Sequence, residues 1–527
     1  MTISPIRIST RTHRFGAANS WVLLSCALLL VLGTLVAILF QHSSSKKPQT
    51  KVQELRMYCA AGMQKPLESV AEAYHQQYGI RILLQFAGSN TLLSQIEVSR
   101  MGDLYLAADY SYLEMARQLG LVEEVLPLAT MKAVVGFQRG NPKNIHRLDD
   151  LLREDVRIVL ANPDQAAIGR TTRQALKKTG DWSAIFKRVN DLGVFKPTVG
   201  EVANDIKLGS IDAGILWDAV ASQYPDIETL EIPELADTAT NISIGILSDS
   251  KHPTAALHFA RYLASRDQGL KEFAAYGYHP IEGDAWEEVP QMVFFAGSVN
   301  RRALEPILKR FSEREGVEIN TVYNGCGILT AQMRTLVDQG HGASSFPDSF
   351  MACDRYYLEK VEDLFQDAQD VSNVPIQMVV ASENPKHIKS LQDLTRPGVR
   401  VALGQPEQCT IGVLSRRLLQ AAGIYDQVLE NNVVTQTATS SLLVPTITTG
   451  SADVALVYAS DALAESDRLE IVPIDSPLAL AVQPYGVARS SDRKHLSLRL
   501  LREISKSRHL FETAGFRWEF DNANLPE

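Results

Sequence analysis

The residues whose types and spacing could do chemistry lie in one stretch that occurs twice. Phe86-Ala87-Gly88-Ser89-Asn90-Thr91-Leu92-Leu93 returns, altered, as Tyr323-Asn324-Gly325-Cys326-Gly327-Ile328-Leu329-Thr330. Each copy follows an apolar, strand-like run (80–84 and 317–322) and leads into helical spacing, at Leu92, Leu93 and Ile96 and then at Ile328, Leu329 and Met333. A strand, a small-residue turn and a helix start together present free backbone N–H groups to an anion. Glycine lets the backbone approach closely, and a serine at the helix start adds a hydroxyl to the donors. One copy alone reads equally well as an ordinary capped helix. Two copies in matching surroundings point to an anion-binding loop.

The elements that must position these loops form a large chain. At 527 residues it exceeds a single core, and roughly 100–200 residues per domain predicts about three or four folding units. Hydrophobic content of 45% and charged content of 21% are those of a globular protein. A formal charge of −9 excludes a broad nucleic-acid surface, which needs clustered Lys and Arg. The five cysteines show no CxxC or CxxxH pair, hence no zinc-finger spacing and no disulfide framework.

Residues 1–20 carry Arg7, Arg11 and Arg14 without an acidic residue, and 21–40 is an unbroken apolar and small run. Twenty helical residues span about 30 Å, the thickness of a bilayer core. The arginines predict a cytoplasmic N-terminus and an uncleaved signal anchor at 21–40, followed by a polar tether at 41–53. This reading expects a single-pass protein of the cytoplasmic membrane with its bulk in the periplasm or outside the cell. From Glu54 onward strand-like and helix-like segments alternate, which predicts α/β architecture.

The two halves align as an internal repeat. Met57-Tyr58-Cys59-Ala60-Ala61-Gly62 matches Val293-Phe294-Phe295-Ala296-Gly297-Ser298, and Gly102-Asp103-Leu104-Tyr105-Leu106-Ala107-Ala108-Asp109 matches Pro347-Asp348-Ser349-Phe350-Met351-Ala352-Cys353-Asp354. Ile168-Gly169 matches Ile411-Gly412, and Asp212-Ala213-Gly214-Ile215-Leu216-Trp217 matches Asp453-Val454-Ala455-Leu456-Val457-Tyr458. The pattern is a tandem duplication of a module of about 230 residues, at 54–280 and 291–520, with an acidic linker at 281–290 and a tail at 521–527.

Ala60-Ala61-Gly62-Met63, Phe86-Ala87-Gly88-Ser89, Asp103-Leu104-Tyr105-Leu106-Ala107-Ala108-Asp109 and Asp453-Val454-Ala455-Leu456-Val457-Tyr458 resemble the molybdate/tungstate-binding proteins of ABC importers. The resemblance implies two tandem type II periplasmic-binding-protein modules, each of two α/β lobes around a cleft, after one N-terminal transmembrane helix. It also implies an oxyanion ligand held by a serine in each of the first two loops, backbone N–H groups at later helix starts, and a tyrosine near the hinge. Carried onto this chain, the first module has Gly62, Ser89, Ile168, Val202 and Trp217 at those places, and the second has Ser298, Cys326, Thr410, Ile411, Ser440 and Tyr458. Gly62, Cys326 and Trp217 depart from the pattern, so the second module, with Tyr458, is the better candidate.

Molybdate and tungstate are fully deprotonated at neutral pH and accept hydrogen bonds without donating any. A pocket of hydroxyls, N–H groups and helix N-termini suits them and disfavours a protonated phosphate. The expected function is capture of molybdate or tungstate outside the cytoplasm for an ABC permease, with no cofactor and no metal. One alternative is an oxyanion-responsive sensor or scaffold. Another is an exported metal-binding module using Cys326, Cys353 and Cys409, which read first as inert small residues, next as a disulfide pair and last as soft-metal ligands. An enzyme is not expected, since no GxSxG, HExxH, Walker loop or paired carboxylates occur.

Overall fold

The computed structural model describes residues 53–339, 346–463 and 465–521. The expected anchor at 21–40 and most of the tail lie outside the described residues.

Each module opens with a parallel β-α-β unit that sets its first two loops side by side. Glu54–Ala60 pairs in parallel with Arg81–Ala87, Ala60 standing opposite Ala87. Gln291–Gly297 pairs in the same way with Glu318–Asn324, Gly297 opposite Asn324. Because both strands of each pair end together, both loops leave one edge of the sheet, where open α/β folds bind ligands. The connecting helices, Gln64–Tyr78 and Arg301–Glu315, end in glycines of left-handed conformation, Gly79 (φ 70°) and Gly316 (φ 67°). Their inner faces are Leu67, Val70, Ala71 and Tyr74 in one and Ala303, Leu304, Ile307 and Phe311 in the other, recurring at the spacing of a buried helical stripe.

The first module has two sheets. One has six strands, with Thr240–Leu247 and Leu104–Ala107 at its centre and Glu54–Ala60 beside the latter; the other has five, with Ile158–Ala161 and Ala213–Trp217 inside. The chain passes from the first sheet to the second through Val122–Met131 and Ala133–Gln138, interrupted at Lys132. Lys132 donates its N–H to Asp218 Oδ1 at 3.1 Å. In the second module the same passage is one unbroken strand of 17 residues, Phe365–Ala381, which joins both lobes into a ten-stranded sheet. It pairs with Leu480–Ala488 along its first part and with Val454–Tyr458 along its second. The expected mixed α/β fold of two repeated periplasmic-binding-protein domains is what the chain adopts.

The four aspartates of the repeated motif do structural work. Asp109 and Asp354 cap helices, accepting from the N–H groups of Ser111 and Tyr356. Asp103 and Asp348 accept from the N–H groups of Arg56 and Val293 at the starts of the central strands.

The two modules meet through charge. Glu315, 1% exposed, accepts from Arg499 Nε at 2.7 Å and lies 3.4 Å from Arg261 Nη1. Burial alone would raise its carboxyl pKa, but the two guanidinium groups outweigh burial and lower it. Arg314 adds ion pairs to Glu123 and Glu124, both at 2.8 Å.

Candidate functional site

In the first module four helices begin around one small cavity. They are Gln64–Tyr78 with the single turn before it, Ser89–Ser99, Ala167–Thr179 and Val199–Lys207. The cavity measures about 20 Å³ and is walled by Gly62, Ser89, Ala167, Ile168, Val199 and Trp217 with further small residues. No charged side chain lines it. First-turn N–H groups have no acceptor within their own helix, and each helix start carries about half a positive charge. Four such ends around one point attract an anion without any basic side chain.

Local sequence explains the convergence. Any Cβ at Gly88 would sit 2.3 Å from the carbonyl oxygen of Gln165, so only glycine lets the second loop approach the third. Thr198 caps the fourth helix by accepting from the N–H of Glu201 at 3.3 Å. Ser89, 1% exposed, accepts from the N–H of Ala108 at 3.1 Å, and its carbonyl accepts from the hydroxyl of Tyr105 at 2.8 Å. Val202, expected in the fourth loop, lies a turn inside the helix, with Cγ1 directed at Gly214, and Thr198 and Val199 stand at the cavity instead. Trp217 closes the floor, 1% exposed.

The second module repeats this frame with different side chains. Gly325 brings the second loop against the third and fourth: a Cβ there would meet the carbonyl oxygens of Gln408 at 2.4 Å and Ala438 at 2.5 Å. Ser298 opens the single turn before Arg301–Glu315, and the matching strand ends set it against Ala61 of the first module rather than against Gly62, one residue away from the sequence alignment. Cys326 opens Cys326–Asp338 in place of Ser89 and repeats its backbone bond, accepting from the N–H of Cys353 at 3.1 Å. Thr410 and Ile411 open Thr410–Ala421, and Ser440 opens the fourth loop after Thr439.

Over residues 55–279, and again over 292–517, the chain matches the family described as bacterial extracellular solute-binding protein. The chain belongs to the bacterial extracellular solute-binding proteins. Proteins of this kind are not enzymes, as the sequence leads one to expect. Among its relatives is a protein of Haemophilus influenzae named only as a binding protein, 24% identical over 231 residues, 44% of this chain and 92% of that one. The molybdate-binding protein ModA of Mycobacterium tuberculosis is 25% identical over 220 residues, 41% of this chain and 81% of its own. Among solved structures, the periplasmic molybdate-binding protein of Azotobacter vinelandii covers 42% of this chain and 98% of itself, at 17% identity and a TM-score of 0.37. The matches to ModA proteins, together with the doubled family match, bear out a ModA-like solute-binding protein in two tandem copies.

One expectation is corrected. Among the described residues no helix is long and apolar enough to cross a membrane, and the family is one of extracellular binding proteins. The single-pass membrane placement rested only on 21–40, outside the described residues, and is withdrawn.

The second cleft of this solute-binding protein differs from the first in its unmet hydrogen bonds. The hydroxyls of Tyr458, Thr410 and Ser440 are all buried and none makes a well-formed hydrogen bond, Thr410 lying beside the sulfurs of Cys326 and Cys353 and Ser440 beside Asp461. Burial above all, and then the neighbouring Cys353, push the Tyr458 phenol well above its ordinary pKa, so it remains a donor at neutral pH. Asp461, which follows Tyr458 on the next short helix, has one carboxylate oxygen buried without a partner, near Ser440 but not well aligned with it. Burial raises its pKa to about 6, with Ser440 opposing. Cys326 and Cys353 place their sulfurs 2.9 Å apart, and all four described cysteines are free thiols. Cys409 directs its thiol to the carbonyls of Gln405 and Thr437. Among the described residues no group of three or more His, Cys, Asp or Glu side chains is arranged to hold a metal ion, so the metal-binding alternative finds no support.

Sequence reasoning missed Asp461, Val199 and the pairing of Cys353 with Cys326. For Cys353 the signal was present: Ala107-Ala108 aligned with Ala352-Cys353 places a second sulfur beside the residue that replaces Ser89.

Proposed function

We propose that this chain captures a tetrahedral oxyanion, molybdate or tungstate, outside the cytoplasm and delivers it to the permease of an ABC importer. The observation that carries this reading is the convergence of four helix N-termini on a cavity without charged side chains. Neutral donors suit a fully deprotonated dianion, because every one of its oxygens accepts and none needs an acceptor in return. The molybdate-binding relatives support the same ligand class. In the second cleft the hydroxyls of Tyr458, Thr410 and Ser440 are the donors left for the ligand, with backbone N–H groups at Cys326 and Ile411. Ser298 adds a hydroxyl that the first cleft lacks at Ala61.

Calorimetric titration of the purified chain with molybdate, tungstate, sulfate and phosphate tests the reading. Binding of molybdate or tungstate at about 1 μM or tighter, with sulfate and phosphate at least tenfold weaker, is the expected outcome. Equal affinity for sulfate, or heat from none of the four, would overturn it. The stoichiometry reports whether one or both clefts are filled.

A further inference from the structure

Three replacements between the modules act together on one spot. Ser89 becomes Cys326, Ala108 becomes Cys353, and Ala60, the last residue of its strand, becomes Gly297. The first two put a sulfur on each side of the gap, at 2.9 Å. The third clears the space they need: a Cβ at Gly297 would fall 2.1 Å from Cys353 Sγ and 2.8 Å from Cys326 Sγ. A pair of inert small residues would not require the glycine. The pair also stands at the start of Cys326–Asp338, in the loop that the functional reading assigns to the ligand.

We propose that Cys326 and Cys353 are a reversible dithiol–disulfide modification site that sets the oxyanion affinity of the second cleft, the oxidised form binding more tightly. The affinity half of this inference rests on the proposed function; the site itself does not. The chemistry is exchange with a small disulfide, RSSR, reaching the loop while the lobes are parted. The thiolate of one cysteine attacks a sulfur of RSSR and expels one RS⁻. The second cysteine's thiolate then attacks the resulting mixed disulfide and expels the other RS⁻. Two protein thiols and one RSSR become one protein disulfide and two RSH.

The direction follows from charge. A cysteine at a helix N-terminus, accepting from a backbone N–H and facing a second thiol, is stabilised as the thiolate. Burial opposes this, but the bonds from Cys353 outweigh it and lower the Cys326 pKa. A thiolate there occupies the positive helix end and repels an incoming dianion. The disulfide carries no charge and leaves the N–H groups to the ligand.

The whole chain is equilibrated with oxidised or reduced glutathione, alkylated in denaturant and mapped by mass spectrometry, while molybdate binding is titrated in parallel. A linked Cys326–Cys353 peptide and at least about tenfold tighter binding in the second cleft, both reversed by dithiothreitol, are expected. Cys326→Ser and Cys353→Ala install residues the first module already carries and should each abolish the redox response. Absence of the linked peptide at every glutathione ratio overturns the site. A linked peptide with affinity unchanged or weakened overturns the affinity effect. A linked peptide with no oxyanion bound in either state overturns the functional reading and the affinity effect with it.

Discussion

The two clefts share a backbone and differ in almost every side chain that faces the centre. The first is walled by Ala61, Ser89, Ala167, Val199 and Trp217, and the hydroxyls there, on Ser89 and the neighbouring Thr198, each have a backbone partner. The second has Ser298, Cys326, Thr410, Ser440 and Tyr458 at the same places, and three of its buried hydroxyls make no well-formed hydrogen bond. The frame is held by steric demands such as those at Gly88 and Gly325, where a Cβ would strike backbone carbonyls of the neighbouring loops. The walls answer only to the ligand. A buried polar group left unpaired costs about 1–3 kcal/mol, so a ligand that meets the unpaired hydroxyls gains more in the second cleft than in the first.

The largest test of this comparison lies where the modules touch. Before its terminal glycine the first module's helix ends in Tyr78, packed in an aromatic cluster with Trp286, while the second ends in Glu315 between two arginines. Glu315→Gln should destabilise the protein by about 3–5 kcal/mol at pH 7, because two buried guanidinium groups lose their counter-charge. The lowered Glu315 pKa gives the sign with pH. Its contribution is full above the ordinary carboxyl range and fades as pH falls through the depressed value, so variant and parent should converge in acid. Thermal melts from pH 7 to pH 3 check this; an unchanged midpoint at pH 7 would show that the charges at this boundary are dispensable.

Next in size is Tyr458→Phe, which deletes one unpaired donor. It should weaken oxyanion binding in the second cleft by about 5- to 150-fold and leave the first untouched, giving two separated affinities by calorimetry. An unchanged isotherm would remove Tyr458 from the site.

The smallest effect is expected at Asp461, where the first module has Val220. A carboxyl raised to about 6 in the folded protein opposes folding when charged, so the penalty is present above pH 6 and relieved as pH falls toward 4. Asp461→Asn should therefore stabilise the ligand-free protein by about 1–2 kcal/mol at pH 7.5 and by nothing at pH 4. A gain that does not depend on pH would point to packing rather than charge.

The duplication, the order of the strand–loop–helix units and the first three loops were legible in the sequence, because glycine and small residues punctuate them at fixed offsets. Ser89, Ile168 and Trp217 line the cavity of the first module, and Ser298, Cys326, Thr410, Ile411, Ser440 and Tyr458 stand at the loop tips and strand end of the second. Val202 does neither, because the fourth loop has no glycine to mark its start. There the helix begins one residue after a capping threonine, and Thr198, not the apolar spacing, sets the register. Asp461 was not legible either. One carboxylate among several in a polar stretch carries no sign of burial, which comes from the fold packing Ala459–Leu463 against the lobe. The Arg261–Glu315–Arg499 cluster joins residues far apart in sequence: the fold of the second module pairs Glu315 with Arg499, and the docking of the first adds Arg261.

The unbroken strand Phe365–Ala381 gives the second module a different mechanics from the first. A chain interrupted at Lys132 can swivel at one point, and its two lobes part as doors on a pin. A continuous ribbon flanked by partners on both sides must flex along its length, and bending stiffness then pulls the lobes back toward one rest angle. The second module is therefore expected to resist parting of its lobes more than the first, flexing most readily at the irregular pairing between Gln366 and Ser372, and to release a bound ligand more slowly.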